Sequence, residues 1–179
     1  MPGLLPEIDP DGLLEYSVVY TDRSLNHMSQ AFQEVMRDIS STLKKVYNAQ
    51  AVVVVPGSGT FGMEAVARQF ASGNKCLVVR NGWFSFRWTQ IFEKGDIPGQ
   101  SSVFKAQRTH DGPQAPFVPT PIEDVVAAIK TEKPDLVFAP HVETSSGIML
   151  PDDYLRNLAD AVHEVGGLFV LDCSAGPVY

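Results

Sequence analysis

Four groups of residues follow apolar, strand-like segments and have side chains that could bind a small anionic ligand. They are Gly57-Ser58-Gly59-Thr60, Asn81-Gly82-Trp83-Phe84, His141-Val142-Glu143-Thr144-Ser145, and Asp172. If the apolar segments are strands of a parallel sheet, their carboxyl ends meet at one edge, where such sheets bind ligands. The sequence therefore predicts a binding site built from these groups.

The first group, from Gly57 to Thr60, lies between a run of valines and a helical pattern. Free amides and the positive end of the dipole at a helix N-terminus favour an anion, and Ser58 and Thr60 add hydroxyl donors. The group has neither the lysine of a P-loop nor the spacing of a dinucleotide site, so a single phosphate fits it best. An ordinary capped turn is the alternative interpretation.

The remaining groups could contact a flat ring. Phe84 or its neighbour Trp83 could stack on it, although aromatic residues more often fill a core or an interface. Thr144 could bond a ligand or only its own loop. Asp172 ends an apolar strand, where a carboxylate is costly unless paired; a cationic ring nitrogen would suit it, and nearby backbone is the alternative. Together the groups fit a small aromatic monophosphate, which is the layout that pyridoxal phosphate needs.

The chain around these groups predicts an α/β fold with a doubly wound, mainly parallel sheet, since strand and helix patterns alternate. Predicted strands cover residues 51–55, 75–80, 101–106, 135–140 and 168–172, and predicted helices cover residues 22–47, 62–71, 84–93, 122–131 and 152–165. The run AVVVV at 51–55 is typical of a strand buried on both faces. Residues 107–121 are rich in proline, which predicts an irregular surface connection.

Composition limits the class of protein. The chain has 179 residues, 44% of them hydrophobic, which predicts one domain with a sizeable core after an irregular segment at residues 1–20. A net charge of -7 argues against a nucleic-acid partner. No signal peptide or membrane span is recognisable, and a cytoplasmic location is the default expectation. Cys76 and Cys173 are predicted to be buried, reduced thiols, and no metal site is indicated because His141 and Glu143 would at most orient their loop.

Four segments, in this order, resemble the class V aminotransferases of the fold type I pyridoxal-phosphate enzymes. They are VVVVPGSGTFGMEAVARQF, RNGWFSFRW, APHVETSSGIMLP and FVLDCSAG. The likeness runs from about residue 20 to about residue 175 and favours the alanine–glyoxylate and serine–glyoxylate (serine–pyruvate) branch. It implies that residues 21–179 are the N-terminal part of the large, cofactor-binding domain, without its remainder and the small domain.

The resemblance implies cofactor contacts for six residues: Ser58, Gly59, Thr60, Phe84, Thr144 and Asp172. The first three would bind the phosphate, Phe84 would stack on the ring, and Thr144 would contact the ring near its phenolic oxygen. Asp172 would have the catalytic role, because a carboxylate at the pyridine nitrogen keeps it protonated and lets the ring accept electrons. Members are usually homodimers with active sites at the interface, and the helix at residues 22–47 would lie near it.

The family's Schiff-base lysine has no counterpart in this chain. The seven lysines are at other positions: Lys44, Lys45, Lys75, Lys94, Lys105, Lys130 and Lys133. The resemblance implies an aminotransferase that transfers an amino group from a small amino acid such as alanine or serine to glyoxylate or pyruvate. Because the lysine is missing, we expect the chain as given to be an inactive fragment.

Two alternatives remain open: a lyase on the same fold, because fold does not fix the reaction, and a non-catalytic fragment that only binds or dimerises. A desulfurase is disfavoured, because neither Cys76 nor Cys173 suits a mobile catalytic cysteine and such relatives tend to have histidine where Phe84 stands. A flavin or nucleotide monophosphate domain is permitted by the Gly57–Thr60 turn, but a flavin ring needs no carboxylate partner such as Asp172.

Overall fold

The structure, a computed structural model, describes residues 30–175. These residues fall into two compact units that meet in sequence between Val54 and Val55. The predicted irregular segment at residues 1–20 and the first part of the predicted helix at 22–47 lie outside the described residues.

The first unit contains one described helix, α1 (Gln30–Val46), which confirms the predicted helix where it is described. The predicted strand at 51–55 is wrong: these residues form neither strand nor helix, and Val53 is 83% exposed. A strand needs a neighbour to pair its backbone amides and carbonyls. No strand among residues 30–175 pairs with this segment, so its apolar composition alone does not make it a buried strand.

The second unit alternates strands and helices. In chain order it contains α2 (Gly59–Phe70), β1 (Lys75–Arg80), α3 (Trp83–Gly95), β2 (Gln100–Lys105), β3 (Gln107–Arg108), β4 (Phe117–Val118), α4 (Ile122–Glu132), β5 (Leu136–Pro140), β6 (Val142–Glu143), β7 (Ile148–Met149), α5 (Asp152–Glu164) and β8 (Leu168–Asp172). The predicted helices and the four predicted strands of this unit are confirmed within one helical turn of their expected bounds.

The main sheet has the strand order β2-β1-β5-β8, and every pair in it is parallel. Side chains of the central strands alternate between its faces. Leu77 and Val79 pack with residues of α4 and α5, whereas Val78 and Phe138 pack with residues of α2 and α3. Because helices cover both faces, the central strands are apolar without alternation, as the sequence predicts.

Two short antiparallel hairpins were not predicted. β3 and β4 pair inside the connection at 107–121, so this connection is less irregular than expected. β6 and β7 pair through Val142↔Met149 and Glu143↔Ile148, directly after β5. Strands of two residues are too short to show the alternating sequence pattern of a strand. The β6–β7 hairpin is important because it positions part of the site.

The two cysteines differ in their surroundings. Cys76 is buried in β1, and burial followed by the charge of Asp135 raises the pKa of its thiol to about 12. Cys173 is free as well but exposed, just beyond the end of the edge strand β8. The prediction of a buried thiol is therefore confirmed for Cys76 and wrong for Cys173.

None of the helices described for this chain is both long and apolar enough to cross a membrane.

Candidate functional site

A cavity of about 290 Å³ lies at the carboxyl ends of β5 and β8, beside the N-termini of α2 and α3. Its lining residues are Ser58, Gly59, Thr60, Met63, Phe84, Arg87, Pro140, Val142, Thr144, Asp172, Ser174 and Ala175. All six residues predicted to form a site are among them. Asp172 lies at the carboxyl edge of the sheet, as parallel-strand topology predicts. Ser58, Gly59 and Thr60 instead reach the cavity from the start of α2, with no strand before them in the described part of the chain.

The N-terminus of α2 faces this cavity with open donors. Ser58 precedes the helix in an extended conformation, and its side chain makes no capping hydrogen bond. Within the described part of the chain, no acceptor takes the amides of Gly59 or Thr60. The preceding turn needs a glycine, because Gly57 has φ +138° and a Cβ there would lie 2.9 Å from the Phe61 ring. The positive end of α2 is therefore available to an anion.

The N-terminus of α3 is occupied by a buried carboxylate. Glu143 is 0% exposed, and it accepts hydrogen bonds from the amides of Phe84 at 3.0 Å and Ser85 at 2.8 Å. The hydroxyls of Ser85, at 2.6 Å, and Ser145, at 2.5 Å, donate to it as well. This carboxylate fixes the start of α3 against the turn of the β6–β7 hairpin.

Gly82 permits this close approach. A Cβ at that position would lie 2.7 Å from the Glu143 Cγ atom, which is closer than real Cβ contacts. On the same side, the Trp83 amide donates to the Ser145 hydroxyl at 2.8 Å. The backbone before Phe84 is therefore joined to the turn that carries Thr144.

Hydrogen bonding decides the charge of Glu143. Burial on its own would raise the pKa of this carboxyl, but hydrogen bonds from the side chains of Ser145 and Ser85 and from the amides of Ser85 and Phe84 outweigh it. The pKa is held below its ordinary value of 4.5. Glu143 is therefore an anion at neutral pH, placed at the positive end of the α3 dipole.

Phe84, and not its neighbour Trp83, lines the cavity. Phe84 is 43% exposed and belongs to the lining, whereas Trp83 is 58% exposed and does not. Trp88 is a core residue, with its ring centroid 4.6 Å from that of Phe138. Of these aromatic residues, Phe84 alone lines the cavity.

Asp172 ends β8 opposite Pro140 of β5. Its Oδ1 atom accepts hydrogen bonds from the Ser174 amide at 3.0 Å and the Ser174 hydroxyl at 2.6 Å. Its Oδ2 atom accepts none from residues 30–175. The alternative interpretation is therefore observed for one oxygen, which bonds its own turn, and the pairing with a ring nitrogen stays a prediction for the other.

The charges of the cavity are few. Among its described lining residues, Arg87 is the one cation and Asp172 the one anion. None of the seven lysines lines the cavity, although all of them lie in the described part of the chain. The described residues hold no cluster of three or more His, Cys, Asp or Glu side chains that could bind a metal ion.

Comparison with known proteins supports the sequence resemblance, although no protein-family model matches the chain. It is 29% identical over 150 residues to the L-aspartate–glyoxylate aminotransferase of Paracoccus denitrificans, covering 82% of this chain and 36% of that protein. It is 27% identical over 173 residues to the serine–glyoxylate aminotransferase of Methylorubrum extorquens, covering 95% of this chain and 40% of that protein. The chain thus spans less than half the length of these relatives.

Solved structures agree. The ureidoglycine–glyoxylate aminotransferase of Bacillus subtilis matches with a TM-score of 0.69 at 22% identity, over 86% of this chain and 38% of that one. The pyridoxamine–pyruvate aminotransferase of Mesorhizobium loti matches with a TM-score of 0.67 at 17% identity, over 84% and 36%. The chain has the fold of a class V aminotransferase. This fold belongs to type I of the pyridoxal-phosphate enzymes, so the predicted fold class and family resemblance are confirmed.

Within this aminotransferase fold, the place of Arg87 in the cavity lining and the capping role of Glu143 were not predicted from the sequence. Arg87 lies three residues after Phe84, so the helical period places both on one face of α3, and this spacing could have indicated it. Glu143 was expected only to orient its loop, and it does more, since it caps α3. Nothing in the sequence pairs residue 143 with residues 84 and 85, because the β6–β7 hairpin brings them together.

Proposed function

We propose that the cavity binds pyridoxal 5′-phosphate and that the protein is an aminotransferase. It transfers an amino group from a small amino acid such as alanine or serine to glyoxylate or pyruvate. The observation that carries this proposal is the arrangement of the cavity: open helix amides at one part, and an aromatic face and a carboxylate at another. The glyoxylate aminotransferases to which the chain is similar support the choice of acceptor.

The residues present fit this cofactor. The open amides of Gly59 and Thr60 and the Ser58 hydroxyl would hold the phosphate. The face of Phe84 would pack against the pyridine ring, and Thr144 would hydrogen-bond the ring's phenolic oxygen. These contacts would orient the ring and exclude water from one of its faces.

Asp172 has the catalytic role in this proposal. Its open Oδ2 atom would accept a hydrogen bond from the ring nitrogen, and a carboxylate within hydrogen-bond distance favours the protonated form of that nitrogen. The bound cofactor supplies an electron-accepting ring to the amino-acid substrate. Amino transfer also needs a lysine that can bind the cofactor, and none of the seven present lines the cavity.

We further propose that two copies associate as a homodimer and that residues 21–179 correspond to the first part of the large domain. Apolar residues of α1 support association, since Val35, Ile39 and Val46 are exposed. Exposed apolar side chains on one helix favour burial against another chain.

The test is amino transfer by the protein purified from its native source and supplied with the cofactor, L-alanine or L-serine, and glyoxylate. We expect glycine to form together with the oxo acid of the donor. In the Asp172→Asn variant we expect the transfer rate to fall by about 100-fold or more, because an amide cannot keep the ring nitrogen protonated. Ammonia released without an acceptor would indicate a lyase instead, and cofactor binding without turnover would indicate a non-catalytic chain.

A further inference from the structure

The cavity contains a cationic side chain, that of Arg87, which is not one of the six predicted site residues. Arg87 lines the cavity, and its Nη1 atom donates a hydrogen bond to the Thr60 hydroxyl at 2.6 Å. Its Cζ atom lies 5.9 Å from the centroid of the Phe84 ring. The guanidinium group therefore lies between the turn with open amides and the aromatic wall.

We propose that Arg87 is a phosphate-binding residue that supplies the positive charge of this cavity and gives it preference for a phosphorylated ring over the same ring without phosphate. The inference rests on the proposed cofactor site and extends it to a residue outside the sequence motif of the phosphate turn.

The free charge of Arg87 is the first argument. Between residues 30 and 175 the ion pairs are Arg68–Glu64 and Lys130–Glu164, so the Arg87 guanidinium has no carboxylate partner there. Its place near the N-terminus of α3 does not stabilise that helix either, because a cation there opposes the dipole. A half-buried arginine whose charge has no carboxylate partner among the described residues is well suited to an external anion.

Donor geometry is the second argument. A guanidinium group has five N–H donors in a fixed fork, and the Thr60 hydroxyl takes one of them. The others can form paired, charge-assisted hydrogen bonds to phosphate oxygens. Because the amide of Thr60 is also one of the two open amides of α2, a phosphate bound there would meet neutral donors from the helix and a charged donor from Arg87.

The opposite charges of the cavity are the third argument. Arg87 is associated with the α2 turn through Thr60, and Asp172 lies at the end of β8. A phosphorylated pyridinium carries a negative group and a positive ring nitrogen on one small molecule. The cation and the anion of the lining complement these two charges. A ring without phosphate would pair with Asp172 but would leave the charge of Arg87 unpaired.

The experiment compares pyridoxine 5′-phosphate with pyridoxine by titration calorimetry at low ionic strength. Neither compound has an aldehyde, so neither can react with surface lysines. Arg87→Met removes the charge but keeps most of the length, and Arg87→Gln removes the charge but keeps a hydrogen-bond donor for Thr60. Arg68→Met is the matched control, because it removes the same charge from an exposed ion pair outside the cavity. Thermal unfolding of each variant verifies its fold.

We expect both neutral variants at position 87 to bind pyridoxine 5′-phosphate about 10- to 100-fold more weakly than the original chain, as loss of a charge-assisted pair predicts. Pyridoxine affinity should change by less than about twofold. Arg87→Lys should recover part of the loss because it restores the charge without the fork, and Arg68→Met should bind like the original chain.

A folded neutral variant that binds the phosphate ester as tightly as the original chain would overturn the role of Arg87. So would an equal loss of affinity for both compounds, which would mean that Arg87 only supports Phe84. An original chain that binds the two compounds equally, or binds neither, would instead contradict the proposed cofactor site itself.

Discussion

The N-termini of α2 and α3 lie beside the same cavity but differ in what fills them. At α3 the buried Glu143 accepts from the amides of Phe84 and Ser85. At α2 no described residue takes the amides of Gly59 and Thr60, and an arginine stands beside them instead of a carboxylate. One terminus is satisfied within the fold, and the other is left open.

The difference explains how one sheet edge can be both stable and able to bind. Internal capping of α3 fixes the backbone that carries Phe84, so the aromatic wall is set before a ligand arrives. The open terminus of α2 leaves donors unsatisfied, and an incoming anion can use them. Removal of a group at the α3 terminus should therefore affect folding, and removal at the α2 terminus should affect binding.

The largest expected effect is the loss of the internal cap. Glu143→Ala removes the acceptor of two amides and two hydroxyls, among them the amide and hydroxyl of the buried Ser85, which should lower the free energy of unfolding by about 2–4 kcal/mol. Ser58→Ala is the counterpart at α2 and should cost less than about 0.5 kcal/mol, since the Ser58 side chain makes no capping bond. Urea unfolding of both variants measures the difference in the free energy of unfolding. Equal losses in the two variants would contradict the predicted difference between the N-termini of α2 and α3.

The two glycines provide a second pair. Gly82→Ala should lower the free energy of unfolding by about 2 kcal/mol, because the new Cβ would meet the Glu143 side chain. Gly59→Ala should change it by less than about 0.5 kcal/mol, since a Cβ there would meet the Ser174 hydroxyl at an ordinary 3.5 Å. The Gly59 variant should nevertheless bind pyridoxine 5′-phosphate more weakly. Normal binding by it would show that no ligand approaches this backbone.

A third prediction separates the two neighbouring aromatics. Phe84→Ala should weaken binding of pyridoxine 5′-phosphate by about 0.5–1.5 kcal/mol through lost stacking while changing stability little, because the ring is 43% exposed. Trp83→Ala is the control, since Trp83 lies outside the cavity lining. The same calorimetric titration would assign the stacking role to Trp83 if only that variant lost affinity.

The smallest expected effect is a dependence of stability on pH. Since hydrogen bonds hold the pKa of Glu143 below its ordinary value of 4.5 in the folded chain, its ionisation stabilises the fold above that value. This contribution is lost as the pH falls below 4.5 and through the folded pKa. Compared with Glu143→Gln, the original chain should lose more unfolding free energy between pH 6 and pH 3. Parallel curves for the two proteins would refute this role.

The sequence predicts best where local pattern and tertiary surroundings agree. The apolar run of β5 is fully buried between two layers of helices, and the period of α5 matches its buried residues Tyr154, Leu158 and Val162. Four valines at residues 52–55 have the same local pattern but no described strand beside them, so the prediction failed there. Local pattern specifies what a segment can become, and pairing decides what it does become.

The site also combines features that the sequence predicts with contacts that only the tertiary structure creates. Asp172 was predictable because topology places the ends of parallel strands together. Gly57–Thr60 was predictable only from its glycines and hydroxyls before a helical pattern, since the strand expected before it does not form. The cap joins the Glu143 carboxylate to the Phe84 amide across 59 positions of sequence, and the hydrogen bond from Arg87 to Thr60 spans 27 positions. Such contacts have no local signature, so they emerge only when the hairpin and the helices are in place.

A crystal structure of the chain with pyridoxine 5′-phosphate bound would test the central claim most directly. We predict the phosphate at the amides of Gly59 and Thr60 with the Arg87 guanidinium beside it, the ring against Phe84, and the ring nitrogen within hydrogen-bond distance of Asp172. A phosphate bound away from α2, or a ring nitrogen turned away from Asp172, would contradict the proposed cofactor site.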